Sequence, residues 1–269
     1  MLPRYLFADV DDTFTVSGGL CGEVLAAVER AQQAGIEVIL NTGRPAGFGA
    51  ALFAYLPTLA GVIVENGGAW LDRGGTKRPH GHEPDFQFAY PIDKDLRSRL
   101  EDLQQRVAFR LGREQQTTAD NRFRLTDYTV LRDFPTGNEG KTWLREISRL
   151  VDEESNHAGQ LLASSIHLHF SLDGANPRSK ASGAEKLLAS RGIEKTAETL
   201  ASCAVAVGDS ANDASFFVPG RFALSVGVRN IVRYLPELGD AVPMHVTQES
   251  EGLGLCELVA DLLDGRLGI

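Results

Sequence analysis

The sequence predicts an α/β fold: a doubly wound, mostly parallel sheet with a Rossmann-like core, and an inserted α+β cap domain. Apolar strands and helical segments alternate near both ends of the chain, as they do in parallel sheets that are covered by helices. In the middle of the chain, polar and apolar residues alternate, which is typical of half-exposed antiparallel strands. We therefore expect a discontinuous core of residues 1–80 and 178–269, with the cap at residues 81–177.

The N-terminal segment predicts a β-α-β-α-β unit. A buried strand is predicted at RYLFADV (4–10), and a helix at CGEVLAAVERAQQAG (21–35), where Gly35 suits the helix end. The next strand is predicted at IEVILNTGR (36–44), and Pro45 fits the first turn of the helix that follows. The third strand and a glycine turn are predicted at AGVIVENGGAWLD (60–72).

The rest of the chain separates into two kinds of segment. Amphipathic helices are predicted at 94–107 and 140–155, and half-exposed strands at NRFRLTDYTVLRDF (121–134) and SSIHLHFSL (164–172). After residue 178 the α/β pattern returns: a helix at 181–192, a strand at 203–209, a helix around 212–217, a strand at 221–226 and a helix at 253–265. These segments would complete the core sheet.

Composition limits the classes of partner. A net charge of −9 argues against binding to nucleic acid or to an anionic membrane surface, because both favour basic proteins. No apolar stretch approaches the roughly 20 residues that span a bilayer. The three cysteines, Cys21, Cys203 and Cys256, are far apart and match no zinc spacing. We expect a cytoplasmic protein with a small-molecule partner, and the sequence predicts no oligomeric state.

Polar residues follow several of the predicted buried strands. They are Asp9, Asp11, Asp12 and Thr13 after the first strand, Asn41, Thr42, Gly43 and Arg44 after the second, and Gly208, Asp209, Ser210, Asn212 and Asp213 after a late strand. Lys180 stands at a predicted helix start. Because the carboxyl ends of parallel strands meet at one edge, these carboxylates are expected to share a site. Mg²⁺ takes oxygen ligands and would offset their charge, which suggests phosphoryl chemistry.

Four motifs resemble those of one family. DVDDT, NTGR, the lysine of SKASG and GDSANDASFF occur in the order and spacing of the haloacid dehalogenase-like superfamily. The chain looks like the Cof-type phosphohydrolases of that superfamily, which carry a large α/β cap after the third strand; ENGG at 65–68 is similar to the same subgroup. Asp12 departs from the family, where glycine is commoner, and Phe14 stands where leucine is common.

The resemblance implies roles for individual residues. Asp9 resembles the nucleophile that forms an aspartyl-phosphate, and Asp11 resembles the general acid and base. Mg²⁺ would be held by the Asp9 carboxylate, the backbone carbonyl of Asp11 and Asp209, with Asp213 orienting Lys180 or a metal-bound water. Lys180 and the metal would offset charge on the phosphoryl group.

Other residues would contact the phosphate. The resemblance implies hydrogen bonds from Thr42 and from the backbone amides of Gly43 and Val10, and a contact from Asn212 to the phosphate or a metal-bound water. Asp12 is expected to be a turn residue. For Arg44, contact with substrate and pairing with a carboxylate are both open.

Four cap residues, Arg122, Arg124, His167 and His169, are candidates for substrate recognition. As strands, the two middle segments would place Arg122 with Arg124 on one face, and Ser165, His167 and His169 on another. These polar faces would suit an anionic or hydroxyl-rich leaving group, but a solvated sheet face is the alternative.

The expected function is a magnesium-dependent phosphomonoesterase that acts on a small organophosphate, a sugar phosphate or a phosphorylated polyol acid, through an aspartyl-phosphate. A phosphomutase of the phosphomannomutase type and a non-catalytic binding or regulatory protein are the alternatives, since a fold alone does not establish an activity. A halide-removing enzyme is disfavoured, because the second acidic position and Asp209 suit phosphate chemistry.

Overall fold

The computed structural model of the chain describes residues 1–73, 87–88, 93–134, 137–164 and 166–269. The chain forms two compact units. The core unit comprises Met1–Arg44, Gly49–Ala89 and Ser179–Ile269, and the inserted unit comprises Pro45–Phe48 and Tyr90–Arg178. The predicted boundary at residue 80 lies outside the described residues, so the predicted domain limits stay predictions.

The described residues form the following elements. The strands are β1 (Tyr5–Ala8), β2 (Glu37–Asn41), β3 (Gly61–Val64), β4 (Ala69–Asp72), β5 (Gln87–Phe88), β6 (Asp127–Leu131), β7 (Gln160–Ala163), β8 (His167–Ser171), β9 (Ala204–Gly208), β10 (Leu224–Gly227) and β11 (His245–Val246). The helices are α1 (Gly22–Gln33), α2 (Ala46–Tyr55), α3 (Leu96–Leu111), α4 (Gly137–Glu154), α5 (Lys180–Ser190), α6 (Thr196–Cys203), α7 (Leu235–Leu238) and α8 (Glu251–Leu263). Short 3₁₀ helices lie at Glu65–Gly67, Ala119–Phe123, Ala211–Phe216 and Arg229–Arg233.

The core unit is built on an eight-stranded sheet with the order β11-β10-β9-β1-β2-β3-β4-β5. Six neighbouring strands, from β11 to β3, are parallel, and β4 is antiparallel to both of its neighbours. The four residues of β1 are completely buried between β2 and β9, which explains their uninterrupted apolar run. Strand β2 lies on one side of β1, and β9, which comes much later in the chain, lies on the other side of β1. The strand order therefore changes direction between β1 and β9.

Helix ends in the core unit follow from local chemistry. Gly35 follows α1 with φ +88°, a left-handed conformation that glycine adopts without steric penalty. Helix α5 begins with a capping box, in which the Ser179 hydroxyl accepts from the Ser182 amide and the Ser182 hydroxyl accepts a hydrogen bond from the Ser179 amide. This cap fixes the first turn of α5, whose first residue is Lys180.

The inserted unit has its own three-stranded antiparallel sheet, in the order β6-β8-β7. Apolar side chains of α3, α4 and this sheet form a separate core that includes Leu100, Val107, Ile147, Leu168 and Phe170. The mixed architecture, with a mostly parallel sheet and a separate antiparallel sheet, confirms the predicted α/β fold class. No helix within the described residues is both long and apolar enough to cross a membrane.

The predicted strand at 121–134 is wrong in its first part. Residues Ala119–Phe123 form a 3₁₀ helix, and β6 begins only at Asp127. The Asn121 side chain explains the difference, because it accepts from the Thr129 amide and donates to the Thr129 carbonyl, both at 2.7 Å. Asn121 therefore folds back on β6 instead of extending the strand.

Candidate active site

Two aspartates stand at the carboxyl ends of neighbouring central strands. Asp9 follows β1 and Asp209 follows β9, and the two strands pair in register, with Ala8 opposite Val207. The Asp9 amide donates to the Val207 carbonyl at 3.0 Å, which extends the pairing by one residue. In doubly wound sheets, ligands bind at the strand ends where the strand order changes direction, and the two aspartates occupy that position.

Lys180 joins two carboxylates of this cluster. Its Nζ lies 2.7 Å from Asp9 Oδ1 and 2.6 Å from Asp213 Oδ1, and only 1% of its side chain is exposed. Burial alone would lower the pKa of Lys180, but the charges of Asp213 and Asp9 outweigh burial and raise that pKa. The ammonium group is therefore held in its charged form between two acids.

Asp213 organises the turn after β9. Its Oδ2 accepts hydrogen bonds from the backbone amides of Asp209 and Ser210, at 3.0 and 3.1 Å. A Cβ atom at Gly208 would stand 2.3 Å from Asp213 Cγ, so only glycine leaves room for this carboxylate. The sequence Gly-Asp-Ser-x-Asn-Asp thus places one acid at the strand end and folds a second acid underneath it.

With all three acids ionised, the cluster of Asp9, Asp209 and Asp213 would carry more negative charge than Lys180 neutralises. Burial, reinforced by the charge of Asp213, raises the pKa of Asp9 to about 7 against the opposing effect of Lys180. Burial and the charges of Asp213 and Asp9 raise the pKa of Asp209 to about 9. One oxygen from each of these three carboxylates can be chosen so that all lie within 4.8 Å of one another. Such a set of oxygen donors fits a hard divalent cation, which would stabilise the ionised acids.

Asp11 and Arg44 form an ion pair near the same strand ends. Arg44 Nε donates to Asp11 Oδ2 at 2.9 Å, and its Nη2 donates to Asp11 Oδ1 at 2.7 Å. Both side chains are about half exposed. Of the two possibilities left open for Arg44, the structure contains the pairing with a carboxylate. Asp12 has φ 55°, and its amide donates to Thr15 Oγ1, as a turn residue does.

The loop after β2 is shaped by the segment ENGG. The Asn66 amide donates to the Thr42 carbonyl at 3.0 Å, and the Glu65 amide donates to the Arg44 carbonyl at 3.1 Å. A Cβ atom at Gly43 would lie 3.0 Å from Asn66 Oδ1, so glycine at this position allows the Asn66 side chain to lie close to the backbone of residue 43. The buried Thr42 Oγ1 accepts from the Arg44 amide at 3.0 Å, which leaves its hydroxyl hydrogen for another acceptor.

The start of α5 is fixed by two contacts inside the core unit. Buried Asn41 at the end of β2 donates from Nδ2 to the Lys180 carbonyl at 2.8 Å. Gly183 lies against Gly67, where an added Cβ at Gly183 would stand 2.6 Å from the Gly67 Cα. Bare backbones therefore meet between α5 and the turn before β4, and this contact positions Lys180.

The structure brings most of the predicted site residues to one edge of the core sheet. One cluster contains Asp9, Lys180, Asp209 and Asp213. Asn212 instead accepts at Oδ1 a hydrogen bond from the Ser210 hydroxyl, at 2.6 Å. Val10 is buried, and its carbonyl accepts from the Phe14 and Thr15 amides. The roles of these residues stay predictions.

Asn230 is a residue that the sequence analysis did not find. Its Nδ2 donates to Asp209 Oδ2 at 3.1 Å and lies 3.2 Å from the carbonyl oxygen of Asp12. No acidic or glycine-rich motif surrounds it, so only the three-dimensional structure brings it to the cluster.

In the inserted unit, two of the four recognition candidates belong to a buried network. The Arg124 side chain is 1% exposed and binds Asp127 and Asp120, and His169 Nδ1 lies 2.8 Å from Asp127 Oδ2. The shared strand face predicted for Arg122 and Arg124 is therefore wrong, because residue 122 lies in the 3₁₀ helix. The ring centroid of His167 lies 6.0 Å from that of His169. Ser165 lies outside the described residues.

No family model matches the chain. Three curated relatives, all phosphoglycolate phosphatases, align with most of its length. The phosphoglycolate phosphatase of Methanothermobacter thermautotrophicus is 28% identical over 257 residues, which cover 95% of this chain and 97% of the relative. The phosphoglycolate phosphatase of Methanosarcina mazei is 25% identical over 239 residues, with 87% and 90% covered. All three relatives are named phosphatases, which supports the predicted enzyme class.

Solved structures identify the fold. A haloacid dehalogenase-like hydrolase from Bacteroides thetaiotaomicron matches with a TM-score of 0.64 and 16% identity, covering 97% of this chain and 99% of its own. The chain has the haloacid dehalogenase-like hydrolase fold. The sucrose-phosphatase of Synechocystis, solved with sucrose and phosphate, also matches, with a TM-score of 0.62, 18% identity and coverage of 97% of this chain and 98% of its own. The fold that the resemblance of the four short motifs implies is therefore confirmed.

Proposed function

We propose that the protein is a magnesium-dependent phosphomonoesterase that acts on a small organophosphate. One observation carries this proposal: Lys180 bridges Asp9 and Asp213 at the edge of the sheet where Asp209 also lies. This arrangement presents an acid that can attack phosphorus next to a fixed positive charge. The phosphatase relatives, which align over almost the whole chain, support the same reaction class.

In the proposed reaction, Asp9 attacks the phosphorus atom in line with the leaving group. A bond forms between an Asp9 oxygen and phosphorus, the ester P–O bond breaks, and Asp11 gives its proton to the departing alkoxide. Water then attacks the aspartyl-phosphate, Asp11 takes a proton from that water, and phosphate leaves with Asp9 restored. The Arg44 guanidinium beside Asp11 must move or share its partner when Asp11 carries the proton.

Other residues would hold the phosphoryl group. Lys180 would offset charge on the phosphoryl oxygens, and the Thr42 hydroxyl and the Gly43 amide would donate hydrogen bonds to them. Asp9, Asp209 and the Asp11 carbonyl would hold Mg²⁺, with Asp213 beside them. When bound, Mg²⁺ supplies positive charge to the phosphoryl oxygens and favours the ionised form of the acids.

The substrate class we propose is a small phosphorylated acid or sugar. Three curated relatives are named for phosphoglycolate, a phosphorylated hydroxy acid, and one structural neighbour is named for sucrose phosphate chemistry. Phosphoglycolate is therefore the first compound to assay, ahead of hexose phosphates. The cytoplasmic location stays a prediction.

The decisive test is phosphate release by Asp9→Asn. We expect the wild-type protein to hydrolyse p-nitrophenyl phosphate and phosphoglycolate with Mg²⁺, and the variant to release no phosphate above the uncatalysed rate. Asp240→Asn is the matched control, because Asp240 is exposed and lies outside the cluster. Residual activity in Asp9→Asn would refute the nucleophile. Transfer of phosphate between sugar positions without release would instead indicate a phosphomutase.

A further inference from the structure

Asn230 connects three segments of the core unit. Its Nδ2 lies within hydrogen-bond distance of Asp209 Oδ2 and of the Asp12 carbonyl, at 3.1 and 3.2 Å, and its Oδ1 accepts from the Glu251 amide at 3.0 Å. It therefore contacts the turn after β1, the turn after β9 and the first turn of α8. The amide group is bifunctional, so a single side chain satisfies both kinds of contact.

The turn after β1 is held by the same end of α8. The Gly252 amide donates to the Thr15 carbonyl at 2.9 Å, and the Ser17 amide donates to Glu251 Oε2 at 2.7 Å. The Asn230 Oδ1 accepts from the amide of Glu251, the neighbour of Gly252, so its side chain is anchored to the same end of α8. Its position does not depend on Asp209 alone.

An amide is a suitable partner for a metal-ligating acid. Asp209 already lies close to Asp9 and Asp213, and a second lysine beside it would compete with a cation for the same charge. The Asn230 N–H fixes the direction of the Asp209 carboxylate without adding positive charge. Hydrogen bonds of this kind orient ligating carboxylates, and their removal typically weakens metal binding 10- to 100-fold.

We propose that Asn230 is a positioning residue: it orients Asp209 for the cation and, through the Asp12 carbonyl, holds the turn that carries Asp11. The expected effect of Asn230 on catalysis rests on the proposed function, whereas its expected effect on metal binding does not. It assigns a task to a residue outside all four recognised motifs. Removing its side chain would remove the side-chain link between Asp209 and the first turn of α8, whereas the turn after β1 would keep its contacts with Glu251 and Gly252.

The test is a titration with Mg²⁺, and with Mn²⁺ as a second probe, monitored by isothermal calorimetry without substrate. We expect Asn230→Ala to raise the metal Kd about 10-fold or more. Asn176→Ala is the control, because Asn176 is an exposed asparagine in the inserted unit, and its Kd should equal that of the wild type. An unchanged Kd in Asn230→Ala would overturn the proposal.

A second variant and a double variant separate positioning from folding. Asn230→Ser keeps a small polar side chain but is one atom too short to reach Asp209, so we expect it to lose metal affinity even if Asn230→Ala does not fold. In an Asp209→Asn background, Asn230→Ala should weaken metal binding by less than it does in the wild type, because only the contact with the Asp12 carbonyl is then left to lose. A further loss of the same size would contradict action through Asp209.

The outcomes also separate this inference from the proposed function. Metal binding that depends on Asn230, without any phosphate release, would support the inference and refute the phosphatase. Phosphate release by a wild-type protein that takes up neither metal would refute the inference. With the phosphatase active, kcat of Asn230→Ala should fall at low Mg²⁺ and recover as Mg²⁺ is raised, which a purely structural defect would not do.

Discussion

Lys180 is a buried cation whose two partners are both acids. Taking charges out of water is unfavourable by several kcal/mol per ion, and only well-placed partners offset this. Its ammonium group lies 2.7 Å from Asp9 and 2.6 Å from Asp213. Without the lysine, each of these two buried carboxylates would lose its positively charged partner. The site is therefore sensitive to the removal of this single side chain.

We expect Lys180→Ala to lower the free energy of unfolding by about 3–5 kcal/mol in metal-free buffer, because it leaves two buried carboxylates without their cation. Added Mg²⁺ should restore part of this loss. Urea unfolding with and without Mg²⁺ measures both effects. Lys195→Ala is the control, because Lys195 and Glu198 are both more than 70% exposed and their pair adds little. A Lys180→Ala protein as stable as the wild type would contradict this account.

Gly208 is the second residue that the cluster depends on. We expect Gly208→Ala to abolish phosphate release and to weaken metal binding, since the new methyl group would overlap Asp213 at 2.3 Å and displace its carboxylate. Phosphate release and calorimetric metal titration are the measurements. Gly22→Ala, where nothing lies within 4 Å of the added Cβ, should keep both properties. Equal activity in the two variants would show that Asp213 tolerates displacement.

Among the elements, β6 begins with Asp127, which forms with Arg124 the most heavily buried ion pair among the described residues of the inserted unit. Arg124 Nη1 lies 3.0 Å from Asp127 Oδ1, and both side chains are 1% exposed. Burial by itself would raise the pKa of Asp127, but the charge of Arg124 and the hydrogen bond from His169 outweigh it and hold that pKa far below its ordinary value. The pair thus fixes the start of β6 with its charge intact.

This pair has a defined pH dependence. Because the pKa of Asp127 is lower in the folded protein, its stabilisation is complete above the unfolded pKa of about 3.9 and is lost as pH falls through the folded value. We expect Asp127→Asn to destabilise the inserted unit by about 3–5 kcal/mol at pH 7, and the difference from wild type to shrink below pH 4. Urea unfolding from pH 7 to pH 2 tests this.

The exposed pair of Asp133 and Arg113 provides the comparison. Their side chains are 43% and 41% exposed, so Asp133→Asn should change stability by less than about 0.5 kcal/mol. A difference between Asp127→Asn and wild type that stayed constant down to pH 2 would contradict the assigned ionisation.

The elements also show how far sequence patterns reach. The buried strands β1, β2 and β9 were predictable because their apolar runs end at polar residues, and α1 because of its helical spacing and Gly35. The region around Arg122 and Arg124 was not predictable, because its alternation imitates a strand. Its true form depends on a hydrogen bond between Asn121 and Thr129, eight residues apart. A local pattern cannot contain that information.

In the candidate site, the residues of the motifs could be predicted from the sequence, but a residue that contacts them from outside the motifs could not. Asp9, Lys180, Asp209 and Asp213 could be grouped from the sequence because each follows a strand or begins a helix. Asn230 could not, since it follows β10 in a segment that contains no acidic residue and matches none of the four motifs. The register of β9 and β10 brings it to Asp209, and register is a property of the sheet.

For the whole molecule, the cation should act as a folding ligand. A ligand that binds only the folded chain stabilises it by RT ln(1 + [L]/Kd), about 2.7 kcal/mol at 100 times Kd. We expect the Tm to rise when Mg²⁺ is added and to fall when EDTA removes it, with saturation at the calorimetric Kd. Differential scanning calorimetry measures this shift.

Asp209→Asn is the control for the metal effect. It removes one ligand charge while keeping the size of the side chain, so its Tm should barely respond to Mg²⁺. A rise in Tm equal to that of the wild type would mean that the cation binds elsewhere, and His245, Glu257 and Asp261 would be the next residues to test, because their donor atoms also lie within 4.8 Å.

The contact between Gly67 and Gly183 has a consequence for how such a protein can vary. Neither residue carries a functional group, yet any side chain at either position would push α5 away from the turn before β4. In a library that samples every substitution, both positions should therefore be as intolerant as Lys180 itself. A change at one could not be rescued by shrinking the other, because both are already the smallest residue. The position of Lys180 therefore depends on two glycines that a search for reactive side chains would not select.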